Sequence, residues 1–230
     1  MRKLSFFGLI ILLVAACQQE PTPAANLIVN GDGEMPKFDS VPPGWQNIQG
    51  HWVSFEEDSV QHDVVYAQHG KYIFFAGNDT LGILQQDIDV SAYAHGIDAN
   101  KQQFIFNGYV QSLDQGANSD QSAFAIKGLD GSKSKVLYTF GDTTRSIGKW
   151  LPITDTFVAP VATRFIRIQM IAIRHVGGDN DGYFDNFFLT TRSLGSGLIW
   201  IWMAVAVLLI GVTIGVIKYR QKTRSAKILP

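Results

Sequence analysis

Thr163-Arg164-Phe165-Ile166-Arg167-Ile168-Gln169-Met170-Ile171-Ala172-Ile173-Arg174 is the stretch on which the fold class turns. Ile166, Ile168, Met170 and Ala172 fall on one side of an extended chain. Arg167 and Gln169 share the other side with Phe165, Ile171 and Ile173. Successive side chains of a strand point to opposite faces, so the first set is expected in a core and part of the second at a surface. Similar short runs lie near 26–29, 51–55, 63–67, 70–76, 82–90, 102–112, 121–129, 135–140, 149–158 and 182–191. Between them stand turn signals such as Asn30-Gly31-Asp32-Gly33, Asp130-Gly131-Ser132 and Gly177-Gly178-Asp179-Asn180-Asp181-Gly182. No segment from Asn26 to Arg192 carries a convincing helical period. Many short strands with regular turns predict an all-β jelly-roll sandwich of two antiparallel sheets over 26–192.

The two ends read differently. Met1-Arg2-Lys3, the apolar run Leu4–Val14 and the small residues Ala15-Ala16 have the layout of a secretory signal peptide over 1–16. Val14-Ala15-Ala16-Cys17 resembles the lipobox of bacterial lipoproteins, which implies an N-terminal lipid on Cys17. The other reading is an ordinary signal peptide that carries a cysteine. Residues 17–25 form a polar, Pro-containing tether. At the other end, Leu198–Ile217 holds no charge. At about 1.5 Å per residue it spans roughly 30 Å, the thickness of a bilayer's apolar core. Trp200 and Trp202 mark one boundary, and the basic residues of 218–230 follow the other. The positive-inside rule then places that tail in the cytoplasm and the middle of the chain outside it. A spanning helix outlasts lipid as an anchor, so the expected location is the inner (cytoplasmic) membrane of a bacterium, with the domain facing the periplasm or the exterior. Leu194-Gly195-Ser196-Gly197 before the helix loosely resembles a C-terminal sorting signal, which would exchange this anchor for another. Gly211 and Gly215 have the spacing that lets two helices pack closely, so a helix-mediated homodimer is a further expectation.

Charge and cysteine content exclude whole classes. The 230-residue chain has 19 basic and 20 acidic residues, and all the acidic ones lie between Glu20 and Asp185. The segment 18–193 holds 12 of the basic residues and so carries a net charge of −8. A nucleic-acid surface needs clustered cations, and no such partner is expected. With a single cysteine, disulfide scaffolds, cysteine zinc sites and dithiol redox chemistry are also out.

Several segments carry a resemblance. Asn26-Leu27-Ile28-Val29-Asn30-Gly31-Asp32-Gly33-Glu34 followed by Gly44-Trp45 resembles the opening of galactose-binding-like jelly rolls. Gly70-Lys71-Tyr72-Ile73-Phe74, the strand Leu84–Val90 and the closing Asp181-Gly182-Tyr183-Phe184-Asp185-Asn186-Phe187-Phe188-Leu189 resemble later parts of the same fold. That superfamily includes many carbohydrate-binding modules, and the likeness is specific for fold and weak for ligand. It implies a structural Ca2+ joining the first and last strands, with Asp32, Glu34 and Asp185 at the matching positions. The alternative is that these acids only cap turns. Asp179-Asn180-Asp181-Gly182 hints at a calcium loop but lacks the terminal Glu and flanking helices of an EF-hand, and it reads as a turn.

Catalytic motifs are sparse. The chain has no GxSxG, HExxH or P-loop. Its five histidines show no ligand spacing beyond His62 and His69. Glycoside hydrolysis needs two carboxylates across a sugar, whereas Glu56-Glu57-Asp58 reads as a solvated loop and Asp87-Ile88-Asp89 lacks a Glu. The expectation is therefore a non-catalytic binding module, with glycan the leading ligand class. The alternative is an assembly protein that docks another envelope protein through its jelly roll and helix. Ligand sites combine apolar area with a few placed polar groups. The candidates are Asn107, Tyr109 and Gln111 on one strand and Arg167 and Gln169 on another. If those strands were neighbours, they would form one polar-aromatic patch. Trp45, Trp52 and Trp150 are expected to pack in the core or at strand ends.

Overall fold

The computed structural model describes residues 25–35, 40–56, 65–144, 148–195 and 198–225. The expected signal peptide, Cys17 and nearly all of the tether lie outside the described residues. The chain divides into two compact units, one ending at Arg192 and one beginning at Ser193.

The first unit is a sandwich of two five-stranded sheets. Its strands are β1 (Gln46–Gln49), β2 (Val53–Glu56), β3 (Tyr72–Phe75), β4 (Leu81–Asp89), β5 (Gln102–Ser112), β6 (Gln121–Leu129), β7 (Val136–Thr144), β8 (Leu151–Val158), β9 (Phe165–Ile173) and β10 (Gly182–Ser193). The first sheet runs β1-β4-β9-β6-β7 and the second β2-β3-β10-β5-β8. Strand pairs β1–β4, β4–β9, β6–β9 and β6–β7 in the first sheet and β2–β3, β3–β10 and β5–β8 in the second are antiparallel. Chain neighbours mostly lie in different positions or different sheets, which is the jelly-roll crossing pattern.

Period two decides which side chains meet between the sheets. In β9, Ile166, Ile168, Met170 and Ala172 are fully buried, as the alternation in sequence predicts. They lie beside Leu84 and Ile88 of β4 and Phe124 and Ile126 of β6, and share one continuous core with Phe104, Phe106 and Val110 of β5 and Phe184, Phe187 and Leu189 of β10 across the sandwich. Rings interlock there, with Phe106 and Phe187 edge to face at 5.2 Å and Trp45 against Phe74 at 5.5 Å. Trp45 and Trp52 belong to this core. Trp150 packs at a smaller cluster around Val65, Ile73 and Tyr183, on the outside of the second sheet.

The expected strand at 26–29 is a run of bends and turns. Its backbone still bridges the sandwich. Leu27 N–H donates to the Leu189 carbonyl, and the Asn26 carboxamide accepts from Leu189 N–H and donates to the Phe187 carbonyl. On the other side, the Gln86 carboxamide exchanges two hydrogen bonds with Val29 and so replaces a strand partner. Two elements carried no sequence signal. The four residues of β1 are all exposed, so they show no alternation, and the strand is held by pairing with β4. The helix α1 (Ala94–Asp98) is too short to display a helical period. Of the expected strand at 63–67, the described part, Val65–Ala67, is not strand.

The second unit is the helix α2 (Leu198–Ser225). It is the one helix among the described residues that is long and apolar enough to cross a membrane, with mean hydropathy 1.8 over Met203–Arg220.

Candidate functional site

The core side chains of the first sheet alternate with an outward row. In register across that face lie Gln46, Gln85, Gln169, Ala125 and Gly141, from β1 through β4, β9 and β6 to β7. One step along the strands lie Asp87, Arg167, Lys127 and Thr139. Side chains directly opposite on a sheet have Cβ atoms about 5 Å apart, so these rows form one continuous surface. It is lowest toward the β6–β7 edge, because Ala125 and Gly141 carry almost no side chain.

Cross-strand bonds hold the polar groups in place. Arg167 grips Asp87 with two bonds, Nε to Oδ1 at 2.7 Å and Nη2 to Oδ2 at 3.0 Å. Lys133 reaches the same carboxylate at 3.2 Å, with its ammonium 4.3 Å from the Phe165 ring centre. Lys133 comes from the β6–β7 turn, where Asp130 accepts from the backbone N–H groups of Ser134 and Lys135. Its own backbone is left-handed, at φ 59°. The Arg167 guanidinium holds the Asp87 carboxyl below its ordinary range despite partial burial. Gln169 Nε2 donates to Gln85 Oε1 at 2.9 Å. Lys127 forms no salt bridge among the described residues, and its direct cross-strand neighbour Arg167 has the same charge.

The second sheet turns its outer face the other way. Asn107 and Tyr109 are half-buried there, opposite Thr154 and Pro152 of β8. Gln111 is buried. The five residues expected to form one patch are therefore split. Asn107, Tyr109 and Gln111 belong to β5 in the second sheet, and Arg167 and Gln169 to β9 in the first. The strands are not neighbours, because a residue pattern reports which face a side chain takes within its own sheet and not which sheet the strand joins. Arg167 and Gln169 keep polar company that the sequence reading left out. Gln46, Gln85, Asp87, Lys127 and Lys133 gather around them. The alternation Leu84-Gln85-Gln86-Asp87-Ile88-Asp89 was the signal that could have found two of these.

A second polar site joins the ends of the domain. Asp185 is fully buried, and its Oδ2 accepts from Gln68 N–H at 2.7 Å and His69 N–H at 2.9 Å. Glu34 Oε1 accepts from the next amides of the same turn, Lys71 N–H at 2.6 Å and Tyr72 N–H at 2.8 Å. Gly70 lies between, at φ 71°, and a Cβ there would collide with the Glu34 carboxylate. Burial pushes the Asp185 carboxyl up to about 7, and the charge of Glu34 acts in the same direction. Asp185 Oδ1 is buried without a hydrogen-bond partner among the described residues. Asp32 turns to the backbone N–H of Glu34 and so caps its own turn. No group of three or more His, Cys, Asp or Glu side chains among the described residues is arranged to hold a metal. A cation here would have to take backbone carbonyls beside the two carboxylates.

The remaining acidic loop is a fastening. Asp120 accepts from the N–H groups of His175, Val176 and Asp181. Asp181 accepts from Tyr183 Oη and Gln115 Nε2. The loop 174–181 is bend and coil, as its sequence suggests.

No protein-family model matches the chain, and no curated protein matches it. Among solved structures, it is similar to the enzymatically active domain of tailspike protein 4 of bacteriophage CBA120. That match has a TM-score of 0.50 and 13% identity, and it covers 73% of this chain and 21% of that one. This chain thus spans about a fifth of the length of that solved domain, and the likeness is one of fold. Carbohydrate-binding modules are also among the structural neighbours. Family 16 carbohydrate-binding module 2 aligns with a TM-score of 0.49 at 16% identity, over 72% of this chain and 99% of the module. The module TmCBM61, solved with β-1,4-galactotriose, aligns with 0.48 at 13%, over 74% of this chain and 100% of the module.

Proposed function

We propose that this protein is a non-catalytic, membrane-anchored glycan-binding module whose saccharide site is the outer face of the first sheet. The observation that carries this reading is the arrangement there: carboxamides, a carboxylate, a guanidinium and an ammonium beside the low floor of Ala125 and Gly141. Saccharides are bound by fixed polar groups around a surface that a ring can approach closely. The cross-strand bonds of Arg167 and Gln169 hold those groups before any ligand arrives, which lowers the entropy cost of binding. The likeness of the sequence to galactose-binding-like jelly rolls points the same way.

In this reading α2 spans the inner membrane of a bacterium, lipid on Cys17 adds a second attachment, and the tail lies in the cytoplasm. The sandwich faces the periplasm or exterior. Gly211 and Gly215 would let two such helices pair. Ca2+ sits between Glu34 and Asp185 and ties the first turn to the last strand. The orphaned, buried Asp185 Oδ1 and the like charge of Glu34 support this, because a hard cation satisfies both.

The test is a glycan array probed with the full chain in detergent micelles with calcium present. A hit competed by free saccharide and weakened by Gln169→Ala supports the reading. A blank array with a folded protein sinks it and turns the search to an envelope protein docking on the sandwich.

A further inference from the structure

We propose that the outer face of the first sheet is built for an anionic saccharide, one whose carboxylate or sulfate group sits against Lys127 and Arg167. This rests on the glycan-binding reading above and names the ligand's chemical class. The segment 18–193 carries a net charge of −8, yet this face gathers three of its cations. Three cations, Lys127, Lys133 and Arg167, stand on it against Asp87 and Asp89. Both oxygens of Asp87 are taken by Arg167, and Oδ2 is shared with Lys133. Asp89 is exposed at the strand end and accepts from Ser91 N–H.

Lys127 is left over. It is half-buried, directly beside Arg167, and has no salt bridge among the described residues. Two like charges side by side on a partly desolvated sheet repel, and an incoming anion relieves that repulsion. Arg167 uses Nε and Nη2 on Asp87, which leaves Nη1 for a second acceptor. The floor of Ala125 and Gly141 adjoins both cations, since Ala125 precedes Lys127 by one outward position and pairs with Gly141. A sugar ring lying on that floor would place an acidic substituent at the cations and its hydroxyls at the carboxamides of Gln85 and Gln169. The only ring on this face among the described residues is Phe165, and Lys133 lies over it. Recognition here is therefore by charge and hydrogen bonds, not by an open aromatic platform.

Calorimetric titration of the full chain in detergent micelles tests this with polygalacturonate, dextran sulfate and neutral galactan, at low and high salt. The expected result is that at least one polyanion binds about tenfold or more tightly than galactan and weakens with salt. Lys127→Gln should reduce that binding by about tenfold without lowering the melting temperature. Lys101→Gln, a control on an exposed residue beside α1, should leave it unchanged. The two polyanions separate a carboxylate site from a sulfate site. Equal binding of galactan, or equal loss from Lys127→Gln and Lys101→Gln, would overturn the anionic site. Galactan binding that Lys127→Gln does not touch overturns it too and leaves the glycan reading standing. No binding of any saccharide overturns both.

Discussion

Gly31 shows how one residue can fix the closure of the sandwich. Its carbonyl accepts from Phe187 N–H at 2.7 Å, and a Cβ at this position would collide with the Phe187 carbonyl oxygen. Gly31→Ala must push the opening turn off β10, and a destabilisation of about 2–3 kcal/mol is expected. Urea denaturation measures it, and an unchanged midpoint would show that the turn moves freely. Glu34 is a residue-scale test of the calcium proposal. A chelator should lower the melting temperature of the wild-type chain and have a smaller effect on Glu34→Gln. A wild-type melt indifferent to chelator would rule the ion out. Gly31 and Glu34 stand out in the sequence as turn residues. That their partners are Phe187 and the amides of 71–72 is a fact of long-range packing that no local pattern encodes.

The β4–β9 pair is where element-scale energetics and the candidate site meet. Asp87 and Arg167 are direct cross-strand partners, and the guanidinium's hydrogen bonds depress the Asp87 carboxyl below its ordinary value of about 4. A depressed folded-state pKa means the native chain holds the proton more weakly than the unfolded chain. The stabilisation is therefore present above about pH 4 and is lost as the pH falls through the folded value. Melting curves of wild type and Asp87→Asn should differ at pH 7 and converge below pH 4. A constant gap would mean that the pair contributes no charge-dependent stability. In the interior, Phe106 of β5 meets Phe187 of β10 and stacks on Phe124 of β6, so it joins the two sheets. Phe106→Ala is expected to cost about 3–5 kcal/mol by chemical denaturation. A loss below about 1 kcal/mol would show that the core refills the space.

At the scale of the molecule, two units do different jobs. The sandwich is held by its own core, and α2 presents exposed apolar side chains from Met203 to Ile217. In water such a surface is unfavourable, whereas in lipid every backbone group of a helix is already paired. A carbonate wash of membranes should leave the full chain in the pellet. A chain lacking 193–230 with Cys17→Ser should be released. Release of the full chain would refute the spanning helix, and retention of the truncated one would show another attachment.

The sequence alone determined the alternation of β9 and the other long strands, the all-β class, the apolar terminal helix and the acidic balance. Each is written in local order, as a period of two or an unbroken apolar run, and burial follows that order directly. The tertiary structure decided which strands share a sheet. It thereby parted Asn107, Tyr109 and Gln111 from Arg167 and Gln169, and it set Lys127 beside Arg167 and brought Lys133 back from its turn. Strand order depends on crossovers between segments distant in the chain, whose energies come from the whole packed core. No stretch of twelve residues contains that information.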